Sequence, residues 1–203
     1  MRFELFGCEI YISVPFAAFV ALLFLFDRTG TMSVTASAVV IHEAGHIAAM
    51  KLLCAMPERI ELKPAVLHII KPKKVLSYKN EIMILAAGPL AGLLAAAVSA
   101  ALFLIAGRKE IFLWLFASNA ALTVFNLLPI SELDGGKILE YFLLMRMPHE
   151  NAERVSTLVS CIFAAGIIAA GAALLINGCG NPTVLTAGLY MLILMLLKLR
   201  GKR

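Results

Sequence analysis

Charged residues are scarce in this chain of 203 residues. They make up 15% of the sequence, whereas typical soluble domains contain about 25%. Hydrophobic residues account for 61%, and the mean hydropathy is +0.91. This composition excludes an ordinary soluble domain and favours a protein embedded in a membrane.

Cysteine is also scarce, and none of the four cysteines is paired as C-x-x-C. The spacing excludes a zinc site built from paired cysteines and argues against a disulfide framework. No short apolar segment with a small-residue cleavage site opens the chain, so we expect no removable signal peptide. Because no internal repeat or low-complexity linker is evident, we expect one membrane domain over residues 1–203.

The chain is rich in long runs of uncharged residues. A transmembrane helix needs about 17–25 mostly apolar residues. Six runs approach or exceed that length, the last one if Lys198 snorkels to the interface; they lie at residues 10–26, 32–56, 82–106, 111–128, 155–176 and 183–199. We therefore predict an all-α polytopic membrane protein with about six transmembrane helices.

The basic residues predict how these spans are oriented. With the N-terminus in the cytoplasm, fifteen of the 18 lysines and arginines lie inside, and only Arg28, Arg108 and Lys109 lie outside. We expect a multi-pass protein of a bacterial cell membrane with both termini cytoplasmic. The net charge of +5 is then a topology signal, so we expect no nucleic-acid partner.

One strongly polar motif, His42-Glu43-Ala44-Gly45-His46, interrupts the second apolar run. A charge at the bilayer centre costs about 2.5–3.5 kcal/mol, so Glu43 needs a functional reason to be there. On a helix, His42 and His46 share a face, where two imidazoles can hold zinc. Glu43 can take a proton from the water that such a metal activates. The alternative is a buried polar network between helices.

A catalytic zinc site usually offers three protein ligands, so one more is needed. Asp134 is the strongest candidate because Pro129 ends the fourth span before it and the pair Gly135-Gly136 lets the backbone turn after it. A broken fourth span could carry this carboxylate into a wet pocket. Two alternatives stay open: Glu132 as the ligand, and Asp134 as a helix cap.

Other polar or small residues receive weaker assignments. Asn126 could orient substrate or stabilise an oxyanion, or it could instead cap a helix. His68 and His149 lie in loop or interfacial settings, where we expect no metal. The pattern Gly88-x-x-x-Gly92 favours close helix packing over chemistry.

Residues 58–70 differ from the rest of the chain because apolar and polar residues alternate there and β-branched residues are common. This pattern predicts a small membrane-associated β segment. Pro64 restricts the strand to an edge or a bulge. An open edge could pair with an extended substrate by strand addition.

The order, spacing and span placement of three motifs resemble the site-2 protease family of intramembrane zinc metalloproteases. The motifs are the His42–His46 set, Ala87-Gly88-Pro89-Leu90 in the third span, and Asn126-Leu-Leu-Pro followed by Leu133-Asp134-Gly-Gly. The compact layout is most similar to the sporulation type, stage IV sporulation protein FB, without its CBS domain. Glu132 and Gly92 depart from residues that many relatives have, a proline and an asparagine.

The resemblance implies one zinc ion per chain, held by His42, His46 and Asp134, with Glu43 as general base. It also implies cleavage of a peptide bond in or next to a transmembrane segment of a membrane-associated substrate, near the cytoplasmic side. Sporulation-type relatives act on a sigma-factor precursor, and a membrane regulatory partner is possible.

Two other function classes stay open. A catalytically silent scaffold or chaperone of the same fold would not need Glu43, which is intact here. A metal transporter would be expected to show a ligand relay over several helices and often repeated halves.

Overall fold

The computed structural model describes residues 2–5, 8–27, 29–57, 59–62, 67–70, 76–107, 109–178 and 182–200. Within these ranges the chain is mostly helical, and a small sheet accompanies the helices. In chain order the elements are β1 (Arg2–Leu5), β2 (Cys8–Ile12), α1 (Val14–Phe26), α2 (Thr31–Leu52), β3 (Arg59–Leu62), β4 (Leu67–Ile70), α3 (Tyr78–Ile105), α4 (Glu110–Asn126), α5 (Asp134–Leu144), α6 (His149–Ile176) and α7 (Thr183–Arg200).

The chain forms two compact units, Met1–Thr123 and Val124–Arg203. The first unit contains the sheet, α1, α2, α3 and most of α4. The second contains the end of α4 together with α5, α6 and α7.

The four strands form one sheet in the order β1-β2-β3-β4. β1 pairs antiparallel with β2, β2 pairs parallel with β3, and β3 pairs antiparallel with β4. β3 and β4 lie where the sequence predicts strand structure. The all-α expectation omits β1 and β2, so it is wrong for the N-terminal segment.

The predicted first span starts too early, because Ile10 to Ile12 belong to β2 and α1 begins at Val14. Pro15 lies in the first turn of α1, where the missing N–H of a proline costs no intrahelical hydrogen bond. The 13 residues of α1 extend about 20 Å, which is less than the roughly 30 Å of a bilayer core. Ile10–Ile12 are apolar but strand-forming, and hydropathy alone does not separate them from the helix.

Two described helices, α3 and α6, are long and apolar enough to cross a membrane, with 28 residues each. Glu110–Asn126 and Thr183–Met195 are apolar but shorter. α2 has 22 residues and carries the His-Glu-x-x-His motif.

The connection between α1 and α2 is organised by Asp27. Its carboxylate accepts hydrogen bonds from the Met32 amide at 2.8 Å and from the amide and hydroxyl of Thr29 at 3.2 and 3.1 Å. Desolvation raises the pKa of Asp27, but the hydrogen bonds to its charged form outweigh that effect and lower the pKa below its usual value. The carboxylate therefore stays charged and satisfies the first turn of α2.

Small residues let helices approach closely in both units. In the first unit a Cβ at Gly45 of α2 would lie 2.7 Å from Ala91 Cβ and would overlap the Ala87 carbonyl of α3. In the second unit a Cβ at Gly171 of α6 would lie 2.6 Å from the Leu185 amide of α7. Such backbone contacts are the usual basis of helix association in membranes.

Candidate metal centre

His42 and His46 lie one turn apart on α2, and both imidazoles are buried, with 4% and 8% exposure. Their Nε2 atoms are 3.2 Å apart, and the ring planes meet edge to face at 81°. The shared helical face predicted from the spacing is therefore present. Both rings direct Nε2 toward one point.

The separation of these two nitrogens suits a zinc ion. Two imidazole nitrogens bound tetrahedrally at 2.0–2.1 Å from zinc would lie about 3.3 Å apart. His46 Nδ1 lies 2.8 Å from the Ile84 carbonyl of α3, which can only accept a hydrogen bond. Nδ1 must therefore carry the proton, which leaves the Nε2 lone pair of His46 available to a metal.

Glu43 follows His42 on α2, but its side chain is exposed. The alternative of a buried polar network between helices therefore does not account for Glu43.

The predicted fourth span is not one continuous helix, because α4 ends at Asn126 and α5 begins at Asp134. The intervening turn contains Ile130, which is fully buried. Ser160 of α6 holds the turn: its Oγ accepts the Ser131 amide at 3.0 Å and lies 2.9 Å from the Ser131 hydroxyl. The predicted interruption is thus a specific turn fixed by α6.

The glycine pair after Asp134 serves a different purpose from the one predicted. Gly135 and Gly136 lie in the first turn of α5, and the described glycines with positive φ are elsewhere, at Gly30, Gly107 and Gly178. A Cβ at Gly135 would overlap the Leu127 carbonyl, and one at Gly136 would overlap the Ile130 carbonyl. The two glycines leave room for these backbone carbonyls, and they are not needed for a tight turn.

Asp134 is 9% exposed and is the first residue of α5. Leu133 occupies the N-cap position and makes no side-chain cap, so Asp134 lies inside the helix and the cap alternative does not describe it. A carboxylate in the first turn is stabilised by the helix dipole.

His42 and His46 of the first unit offer two imidazole donors, Asp134 of the second unit offers a carboxylate, and all three side chains are buried. Two imidazoles and a carboxylate are a common donor set for catalytic zinc.

The remaining candidates lie elsewhere or are incompletely described. Asn126 is the last residue of α4 and is half-buried, as is Glu132 in the turn. His149 is exposed at the start of α6, with Nδ1 3.9 Å from Glu153 Oε2. The side chain of His68 lies outside the described residues.

Comparisons with known proteins point to one fold. Residues 103–170, about a third of the chain, match the model of Peptidase family M50. The structure is similar to that of the site-2 protease from Methanocaldococcus jannaschii, with a TM-score of 0.64, 21% identity, and 94% of this chain and 91% of that chain covered. No curated protein sequence matches the chain. The chain therefore has the fold of that protease.

Replacing Ser160 by alanine should destabilise the turn that leads to Asp134. The Ser131 amide would lose its buried acceptor, and an unsatisfied buried donor costs about 1–3 kcal/mol. The measurement is the free energy of unfolding in detergent. Ser156→Ala is the matched control, because the Ser156 hydroxyl is buried and makes no hydrogen bond in the described structure. Equal losses in the two variants would contradict the assignment.

Zinc content tests the ligand set directly. We expect near one zinc per chain in detergent-purified wild type and sharply less in His46→Ala and Asp134→Ala, because each loses one ligand of three. Glu132→Ala and His149→Ala should keep the metal. Full zinc occupancy in Asp134→Ala would remove the third ligand from the account.

Proposed function

We propose that the protein is an intramembrane zinc metalloprotease that hydrolyses a peptide bond in or next to a transmembrane segment of a membrane-associated substrate. The observation that carries the proposal is the pair of buried imidazoles on α2, His42 and His46, whose Nε2 atoms lie 3.2 Å apart, with Glu43 beside His42. The match to Peptidase family M50 and the fold of a site-2 protease support the same activity.

In the proposed mechanism the zinc ion and the side chains have separate roles. When bound, one zinc ion per chain supplies Lewis-acid activation of water and polarisation of the scissile carbonyl. His42, His46 and Asp134 would hold it. Glu43 accepts a proton from the attacking water and returns it to the amine leaving group. Asn126, at the end of α4, orients the substrate or donates to the oxyanion.

The proposed setting is a cell membrane. Six membrane segments with both termini in the cytoplasm place fifteen of the 18 basic residues inside, as the positive-inside rule requires. α3 and α6 have the length and hydropathy for two of these segments. The surrounding bilayer and its anionic headgroups are then direct partners of the protein.

The sheet offers a way to present an extended substrate. A helical substrate hides its peptide bonds, so part of it must unwind before hydrolysis. β4 is at one edge of the sheet, and an edge strand can pair with an extended chain through backbone hydrogen bonds. Substrate would bind there as an added strand.

The substrate class follows from the resemblance to the sporulation type. A membrane-associated sigma-factor precursor, cut near the cytoplasmic side, is the proposed example, with a membrane regulatory partner controlling access. A silent scaffold of the same fold and a metal transporter are the outcomes that the next experiment separates from proteolysis.

Replacing Glu43 by glutamine should abolish proteolysis while leaving zinc binding and membrane insertion unchanged. Glutamine keeps the size of the side chain but cannot accept the proton, and loss of a general base costs about 10²–10⁴-fold in rate. The measurement is cleavage of peptides that each contain one transmembrane segment and an unwound extension, with purified protein in detergent.

Lys51→Gln is the control, since it also removes a charge from α2 but lies outside the proposed machinery. Cleavage by Glu43→Gln at the wild-type rate would contradict the general-base role. If the wild type cleaves none of the peptides, metal flux in liposomes would identify a transporter, and zinc binding without flux would identify a scaffold.

A further inference from the structure

We propose that α3 is part of the metal centre, with Gly88 and the Ile84 carbonyl as the groups that position His46. The inference rests on the proposed function for its zinc ion and adds residues that the motif on α2 does not contain. It gives the Gly88-Pro89 segment a role in metal affinity as well as in helix packing.

The first observation is steric. A Cβ at Gly88 would overlap His46 Nε2 and would lie 2.5 Å from Cε1 and 2.8 Å from Cδ2. Real side-chain contacts do not occur at such distances, and the opposing atoms belong to a ring with only two rotatable bonds. The imidazole of His46 therefore occupies the space that any side chain at position 88 would fill.

The second observation is the hydrogen bond on the other side of the ring. His46 Nδ1 donates to the Ile84 carbonyl at 2.8 Å, and Ile84 itself is buried, with 5% exposure. Metal-bound histidines usually donate their other N–H in this way, which fixes the tautomer and the ring orientation. Ile84 and Gly88 are one turn apart on α3, so the same face provides both contacts.

Helix packing places the backbone around Gly88. Close packing of Gly45, the residue before His46, against Ala87 and Ala91 holds α3 beside α2. α3 therefore packs closely against the helix that carries both histidines, and its Gly88 and Ile84 lie on two sides of the His46 ring.

Gly88→Ala tests the inference through metal affinity. Loss of positioning contacts around a ligating histidine typically costs about 10–100-fold in metal affinity, and we expect a loss in that range. The measurement is the dissociation constant for zinc by chelator competition, together with the d–d absorption of the cobalt-substituted protein. Alanine favours helices over glycine, so helix propensity cannot cause the loss.

Gly92→Ala is the matched control, being the same change one turn along α3. There a Cβ would meet Thr123 Oγ1 at 2.5 Å, a side-chain atom that can move by rotation, and it does not approach His46. We expect zinc affinity near the wild-type value in this variant. Gly166→Ala, where nothing lies within 4 Å, controls for the substitution itself.

Wild-type zinc affinity and cobalt spectrum in Gly88→Ala would overturn the inference and leave the proposed protease intact. Conversely, a wild type that binds zinc but cleaves no peptide would overturn the proposed protease function. The comparison of Gly88→Ala with Gly92→Ala would still test the positioning role of Gly88. Equal losses of affinity in both glycine variants would assign the effect to α3 packing and also overturn it.

A second measurement does not depend on whether Gly88→Ala folds. Nitrogen-15 NMR of the metal-free wild type, assigned against His46→Gln, reports which ring nitrogen carries the proton. The inference requires the proton of neutral His46 on Nδ1, facing Ile84. A proton on Nε2 would overturn it.

Discussion

The hydrogen bond from His46 to the Ile84 carbonyl is the interaction on which the metal centre depends. It satisfies one polar atom of a buried ring, and it leaves the other nitrogen directed at His42, 3.2 Å away. Burying a polar group without such a partner is costly in an apolar interior. In this site a backbone carbonyl of α3 receives the N–H of His46.

The turn before Asp134 also needs partners for its buried polar groups, and different residues provide them. The turn between α4 and α5 exposes backbone amides and carbonyls where a continuous helix would have paired them. Ser160 accepts the Ser131 amide, and glycine at 135 and 136 makes room for the Leu127 and Ile130 carbonyls. Asp134 can therefore lie buried at the start of α5, directly after a turn whose Ser131 amide has a partner.

The sequence predicts those features that depend on local spacing. The interval of four residues puts His42 and His46 on one face, and Pro129 before Asp134 predicts the break in the fourth span. The role of Gly88 requires knowledge of which helix lies against His46, and no local pattern contains that. The sequence does not predict β1 and β2. Residues Ile10–Ile12 of β2 are apolar and run directly into the apolar sequence of α1, so hydropathy does not separate the strand from the helix.

The central claim is that His42, His46 and Asp134 hold one zinc ion. Anomalous diffraction at the zinc edge from crystals of the Glu43→Gln variant tests it without a substrate. The account predicts a single peak about 2.0–2.2 Å from Nε2 of each histidine and from a carboxylate oxygen of Asp134. No peak between the histidines, or a peak bound by Glu132 in place of Asp134, would contradict it.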